Sequence, residues 1–172
     1  MRVVRVTQDD GFVAFYEASR GPCLRAVCAV VGDRRLAEDL VAEGFARAWA
    51  SWPRVSTHPA PKAWVLRTAL NLRVSWWRRR RREIPLFGAD GVSSSASPEG
   101  MDPSLMAALY RLSPRQREVV VLRVLLDLDT HSTAQVLGIA PGTVTAQLSR
   151  AADALQRDLA HNHYPMTMER NS

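Results

Sequence analysis

The chain has 172 residues, 47% of them apolar, with a net charge of +6 and an isoelectric point near 10.3. That length holds one ordinary domain or two small ones, and the basic balance favours a polyanionic partner. Two cysteines, Cys23 and Cys28, make neither a disulfide framework nor a zinc site. No apolar run approaches the ~18 residues of a membrane span and no signal peptide opens the sequence, so a soluble, cytoplasmic protein with no membrane insertion and no cofactor is expected.

The charge is unevenly spread. Residues 1–92 carry 16 Lys and Arg against 9 Asp and Glu, a balance of +7, whereas residues 93–172 carry 7 against 8, a balance of −1. All five tryptophans also lie in the first half. The apolar spacing is helical throughout, with no alternating strand pattern and no internal repeat.

Phe12, Phe15, Tyr16 and Ser19 begin the first amphipathic stripe, and Leu24, Val27, Cys28 and Val31 continue it beyond Pro22, where a kink or a restart is predicted. The spacing of five between Cys23 and Cys28 directs them apart on a helix, as reduced core residues. Gly32-Asp33 reads as a stop followed by an N-cap.

A second helix is predicted from about Arg34 to Trp52 with two apolar lines: Leu36, Leu40, Gly44, Ala48 and Trp52, and then Val41, Phe45 and Trp49. Such a helix is either wholly buried or shared between its own domain and a partner. Glu38, Asp39 and Glu43 give it a polar edge, which argues against total burial.

Pro53 to Pro61 reads as a loop, with Pro61 opening a third helix from about Lys62 to Arg82. Leu66, Leu70, Val74 and Trp77 should face the core. Arg67, Asn71, Ser75 and Arg78 form a second line, with Trp64 one turn earlier. Asn pairs with base edges, Arg with phosphate or guanine, and Trp stacks on an exposed base. The run Arg78, Arg79, Arg80, Arg81 and Arg82 repels itself unless an anion neutralises it, and so reads as a phosphate-binding helix end.

Leu86 to Pro103 has linker composition, rich in Gly, Ser and Pro. A helix near Ser104 to Leu112 follows. Ser113-Pro114-Arg115-Gln116 is a capping box that starts a helix bearing Val119, Val120, Leu122, Arg123 and Leu126. A short helix near Thr130 to Leu137, a turn at Gly138-Ile139 and a last helix from Pro141 make a helix-turn-helix. Val144, Leu148, Ala151, Leu155 and Leu159 form the seam of the last helix, and the tail beyond residue 161 is expected to fray. Catalysis finds no support: His58, His131, His161 and His163 have no ligand partners at useful spacing apart from a weak pairing in the tail, and no phosphate-cradling glycine loop appears.

In this order the pieces resemble the extracytoplasmic-function (ECF) sigma factors of the sigma-70 family, over roughly 150 residues. Residues 36–49 are similar to that family's polymerase-docking helix, residues 62–71 to its promoter-melting and −10 reading helix, and residues 112–123 and 137–151 to its −35-binding domain. The resemblance implies an all-α fold of two small helical domains joined by a flexible linker: residues 1–85 for polymerase docking and −10 recognition, 86–103 as linker, 104–161 for the −35 element and 162–172 as tail.

It further implies a non-enzymatic subunit that brings core RNA polymerase to promoter DNA. Asp39, Glu43 and Phe45 would grip the β′ clamp helices. Arg47, Val55 and Asn71 would surround a flipped-out −10 base, with Trp64, Arg67, Ser75 and Arg78 along the same strand and Arg79 to Arg82 on phosphates. Arg123, Thr143, Thr145, Ala146, Ser149 and Arg150 would meet the −35 element, and the β flap of core polymerase is a further implied contact. An anti-sigma factor or an activator is a further partner of this class. The recognition segment carries Arg150 as its one charge, so weak autonomous −35 binding is expected. Two other readings use the same residues: a stand-alone helix-turn-helix regulator, against which the neutral second half argues, and an adaptor that binds polymerase without reading DNA.

Overall fold

A computed structural model describes residues 3–83 and 101–162, and every regular element among them is helical. The eight α-helices are α1 (Val3–Val31), α2 (Arg34–Ala50), α3 (Trp52–Val55), α4 (Pro61–Glu83), α5 (Pro103–Arg111), α6 (Pro114–Val120), α7 (Thr130–Leu137) and α8 (Pro141–Asn162). A π-helical turn, Val121–Leu125, continues α6. Residues 84–100 and 163–172, which hold most of the expected linker and tail, lie outside the described residues.

The predicted stops and starts hold. Gly32 has φ +78°, and Asp33 caps α2 by accepting from the Leu36 amide at 3.1 Å. Ser113 and Gln116 form both arms of the capping box at α6. Asp129 caps α7, and Gly138 ends it in the left-handed region at φ +63°.

Of the two outcomes expected at Pro22, a kink or a restart, the restart does not occur: α1 continues through Pro22 as one helix. α2 stops at Ala50 instead of Trp52, since Pro53 cannot donate to the preceding turn; the chain re-forms as the one-turn α3, which occupies part of the expected loop.

α2 lies between α1 and α4. Gly44 faces Val65 and Ala69 of α4, Phe45 packs on Phe15 and Tyr16 of α1, and Leu36, Leu40, Val41 and Ala48 are buried, so both apolar lines are used inside the protein. Gly44 permits this closeness: a Cβ there would sit 3.2 Å from both the carbonyl oxygen and a methyl of Val65. Phe12, Phe15, Tyr16, Phe45, Trp49 and Trp52 form an interlocked ring cluster with centroids 4.8 to 6.4 Å apart. Val74, expected in the core, is 45% exposed: in that turn it is Leu72 and Ser75 that face the groove shared with α2. Cys23 and Cys28 are buried and unpaired, and burial pushes their thiols up to about 12 and about 11.

The two halves do not stand apart. α1 packs on α6 and on the π-helical turn, and α4 packs on α7. Cys23, Val27, Leu66 and Leu70 belong to the same continuous core as Met106, Leu109, Leu122 and Val136. Tyr110 Oη donates to the Cys28 carbonyl at 3.5 Å. A smaller cluster of Val119, Ala134 and Val144 knits the helix-turn-helix itself.

Candidate nucleic-acid and polymerase interface

The first surface lies between α2 and α4. Asp39 and Glu43 are exposed on α2 and line a groove of about 450 Å³ with Leu36, Leu40, Arg47, Leu72 and Ser75. The fold thus brings two of the three expected polymerase contacts beside two of the expected −10 contacts. Arg47 is exposed and pairs with Glu43 at 2.8 Å.

Phe45 is not on this surface. Its ring is 3% exposed and sits against Phe15 and Tyr16, so it supports α2 from within and cannot grip a partner in this conformation. The exposed aromatic residue of that line is Trp49, at 44%. Val55 is likewise fully buried and anchors α3; it is not the wall of an open pocket.

The second surface is the outer face of α4. Arg67, Asn71 and Ser75 are exposed in a row with the predicted spacing, and Trp64 is half-buried against the core at the head of that row. Arg78 to Arg82 fall on the last turns of α4, and their side chains lie outside the described residues.

The third surface is the start and outer face of α8. Thr143, Thr145, Ala146, Ser149 and Arg150 are exposed, and Thr145 Oγ1 donates to the Pro141 carbonyl at 3.3 Å. Arg123 does not join them. Its guanidinium turns inward and donates to the Leu128 carbonyl, closing the turn after the π-helical segment, where Asp127 has φ +50°. The inward fold satisfies a carbonyl that the irregular turn leaves unpaired, and it removes Arg123 from the set of phosphate contacts in this conformation.

One constellation was absent from the expectations. Glu118, with 8% of its side chain exposed, accepts from Arg73 of α4 at 2.7 Å and from Arg115 at 2.9 Å. Beside it Arg117 lies over the Tyr110 ring at 5.0 Å. Burial pushes the Arg117 guanidinium below its ordinary value, with Tyr110 and Glu118 opposing the shift; burial raises the Tyr110 hydroxyl. A carboxylate this deep is tolerated only when paired, and leaving such a charge uncompensated costs about 3–5 kcal/mol. The signal in the sequence was a single acid immediately before the apolar run Val119-Val120-Val121-Leu122.

Comparison with known proteins supplies the context for these surfaces. Residues 15–83 match the family described as Sigma-70 region 2, and residues 103–155 match Sigma-70, region 4. The RNA polymerase sigma-E factor of Streptomyces coelicolor is 32% identical over 151 residues, covering 86% of this chain and 85% of that protein. The sigma-E factor of Streptomyces antibioticus is 34% identical over 139 residues, covering 79% and 77%. Among solved structures, the sigma factor RpoE in complex with the anti-sigma factor NepR from Bartonella quintana superposes with a TM-score of 0.62 at 28% identity, over 81% of this chain and 91% of that one. With regions 2 and 4 present in order, and relatives this similar matched over most of their length, the chain belongs to the ECF sigma factors of the sigma-70 family.

Proposed function

We propose that the chain directs transcription initiation by binding core RNA polymerase and carrying it to promoters with a −10 and a −35 element. The observation that carries this reading is the division of exposed polar residues into three faces that the core does not use. The acidic groove of α2 suits a basic or amphipathic partner helix. The Arg67, Asn71 and Ser75 row of α4 suits an unpaired strand. The start of α8 suits the major groove. The polymerase-docking set is Asp39 and Glu43. The −10 set is Arg47, Trp64, Arg67, Asn71, Ser75 and Arg78, with Arg79 to Arg82 on phosphates. The −35 set is Thr143, Thr145, Ala146, Ser149 and Arg150. The protein acts as a binding subunit, with no chemistry of its own, in the cytoplasm. An anti-sigma partner of the kind named for the Bartonella RpoE complex would regulate it through the same acidic groove.

Run-off transcription with core polymerase tests the proposal. Promoter-specific transcripts that depend on this chain are the expected result. A stand-alone regulator or an adaptor would bind DNA or polymerase and start none.

A further inference from the structure

We propose that His58 is a positioning residue for −10 recognition. Its ring holds the turn that joins the loop of residues 56–60 to the first turn of α4, where Trp64 heads the row proposed to meet the unpaired strand. The inference rests on the sigma-factor reading above.

The loop has one backbone donor that its sequence isolates. Pro59 and Pro61 have no N–H, so Ala60 carries the only one between His58 and Lys62. His58 Nδ1 accepts from that amide at 3.0 Å. The bond spans two residues, as in the turns that Asn and Asp make with their own backbone. The loop's two hydroxyls, Ser56 and Thr57, fold back on the Pro53 and Arg54 carbonyls at 3.3 and 3.0 Å, which leaves the Ala60 amide to His58.

The contact links α3 to α4. The His58 amide donates to the carbonyl of buried Val55 at 3.0 Å, which ties the residue to α3. The Ala60 carbonyl accepts from the Trp64 amide at 3.2 Å. Both polar groups of the Ala60 backbone are thus held, one by the His58 ring and one by the residue at the head of the −10 row.

Packing decides how far this influence reaches. The body of α4 is fixed by the core through buried Val65, Leu66, Ala69 and Leu70, so Arg67 and Asn71 keep their places without His58. Ser56, Thr57 and Pro59 are exposed and Trp64 is only half-buried, so their placement depends more on the hydrogen-bonded turn. A loop already fixed beside an aromatic ring spares the ordering cost that a loose one would carry when a base stacks there.

Promoter opening by the full chain with core polymerase, read by permanganate reactivity of unpaired thymines, tests this. Asn places an acceptor where Nδ1 stands, whereas Gln places one further out, near Nε2. His58→Ala and His58→Gln should lower opening about three- to tenfold, the range that one lost hydrogen bond covers. His58→Asn should stay within about twofold of the wild type, because it can close the same turn. Helix content and co-purification with core polymerase should be unchanged in all three. A ring that acted only by its bulk would be replaced better by Gln, so opening by His58→Asn no greater than by His58→Gln overturns the proposal. Wild-type opening by His58→Ala overturns it too. Imidazole 1H–15N NMR of the wild-type chain needs no variant: the proton should sit on Nε2, and an Nδ1–H ring overturns the contact. A wild-type chain that opens no promoter overturns the sigma-factor reading and this role with it, while the imidazole spectrum still decides the contact.

Discussion

Glu43 holds the guanidinium of Arg47 at 2.8 Å, one turn along α2, and so joins a residue proposed for polymerase to one proposed for promoter DNA. Both side chains are about half exposed, and a pair of this kind contributes about 0.3–0.5 kcal/mol. Either partner can displace it, and displacement by one frees the other residue. Leu36, Leu40 and Leu72, which line the groove beside Asp39 and Glu43, are the part of the proposed docking surface that such a displacement leaves unchanged.

Asp39→Arg should abolish co-purification with core polymerase and leave helix content unchanged, because Asp39 is exposed and holds no capping role. Normal co-purification would remove the α2 groove from the docking surface.

Neutralising three of the arginines from Arg79 to Arg82 should shallow the salt dependence of DNA binding by about 2–3 units of log–log slope, roughly one for each phosphate no longer neutralised. A titration of the full chain against promoter DNA at several salt concentrations reads this directly; an unchanged slope would make the run a solvated helix end.

Gly44→Val should destabilise the protein by about 2–3 kcal/mol through overpacking against the Val65 backbone, which cannot step aside as a side chain can. At this size that is a fall of about 5–10 °C in Tm. Gly142→Ala is the control: nothing lies within 4 Å of its would-be Cβ, so helix propensity alone acts and Tm should hold or rise. Equal losses in the two variants would refute the close α2–α4 approach.

Asp129 is held below its ordinary value of 3.8, first by the Ser132 backbone amide and then by the Ser132 hydroxyl, with burial opposing. A carboxylate depressed in the folded state contributes its full stabilisation above the unfolded value and loses it as pH falls through the folded one. Thermal melts from pH 6 to pH 2.5 should show a gap between Asp129→Asn and the wild type that is full above about pH 4 and narrows as pH falls below it. A gap that does not narrow would mean that the carboxylate charge does not matter to the α7 cap.

Caps and stops were the most legible part of the fold, because their chemistry is local. Gly32-Asp33, the Ser113 capping box and Asp129 with Gly138 each need only three or four neighbouring residues to declare a helix end. The exposed rows on α4 and α8 were legible for the same reason, since the 3.6-residue period fixes which side chains share a face. Three assignments failed where tertiary contact decides. Phe45 has the spacing of a second face, and only the position of α1 shows that this face is already covered. Val55 is hidden by a helix of one turn that no periodicity could announce. Arg123 answers to the Leu128 carbonyl in the irregular connection that follows the π-helical turn, which sequence spacing does not encode. Arg73 and Glu118 lie 45 residues apart, and their pairing exists only because α4 meets the second half.

The shared core also sets an order of events at the ribosome. Residues 3–83 are complete while the partners of their outer apolar surface, Met106, Leu109 and Leu122, are still unmade. At about 5–20 residues per second, the next 79 residues, 84–162, arrive over roughly 4–16 s. During that interval the nascent N-terminal half presents surface that the finished protein conceals, and that interval is when chaperones would have their longest access to it.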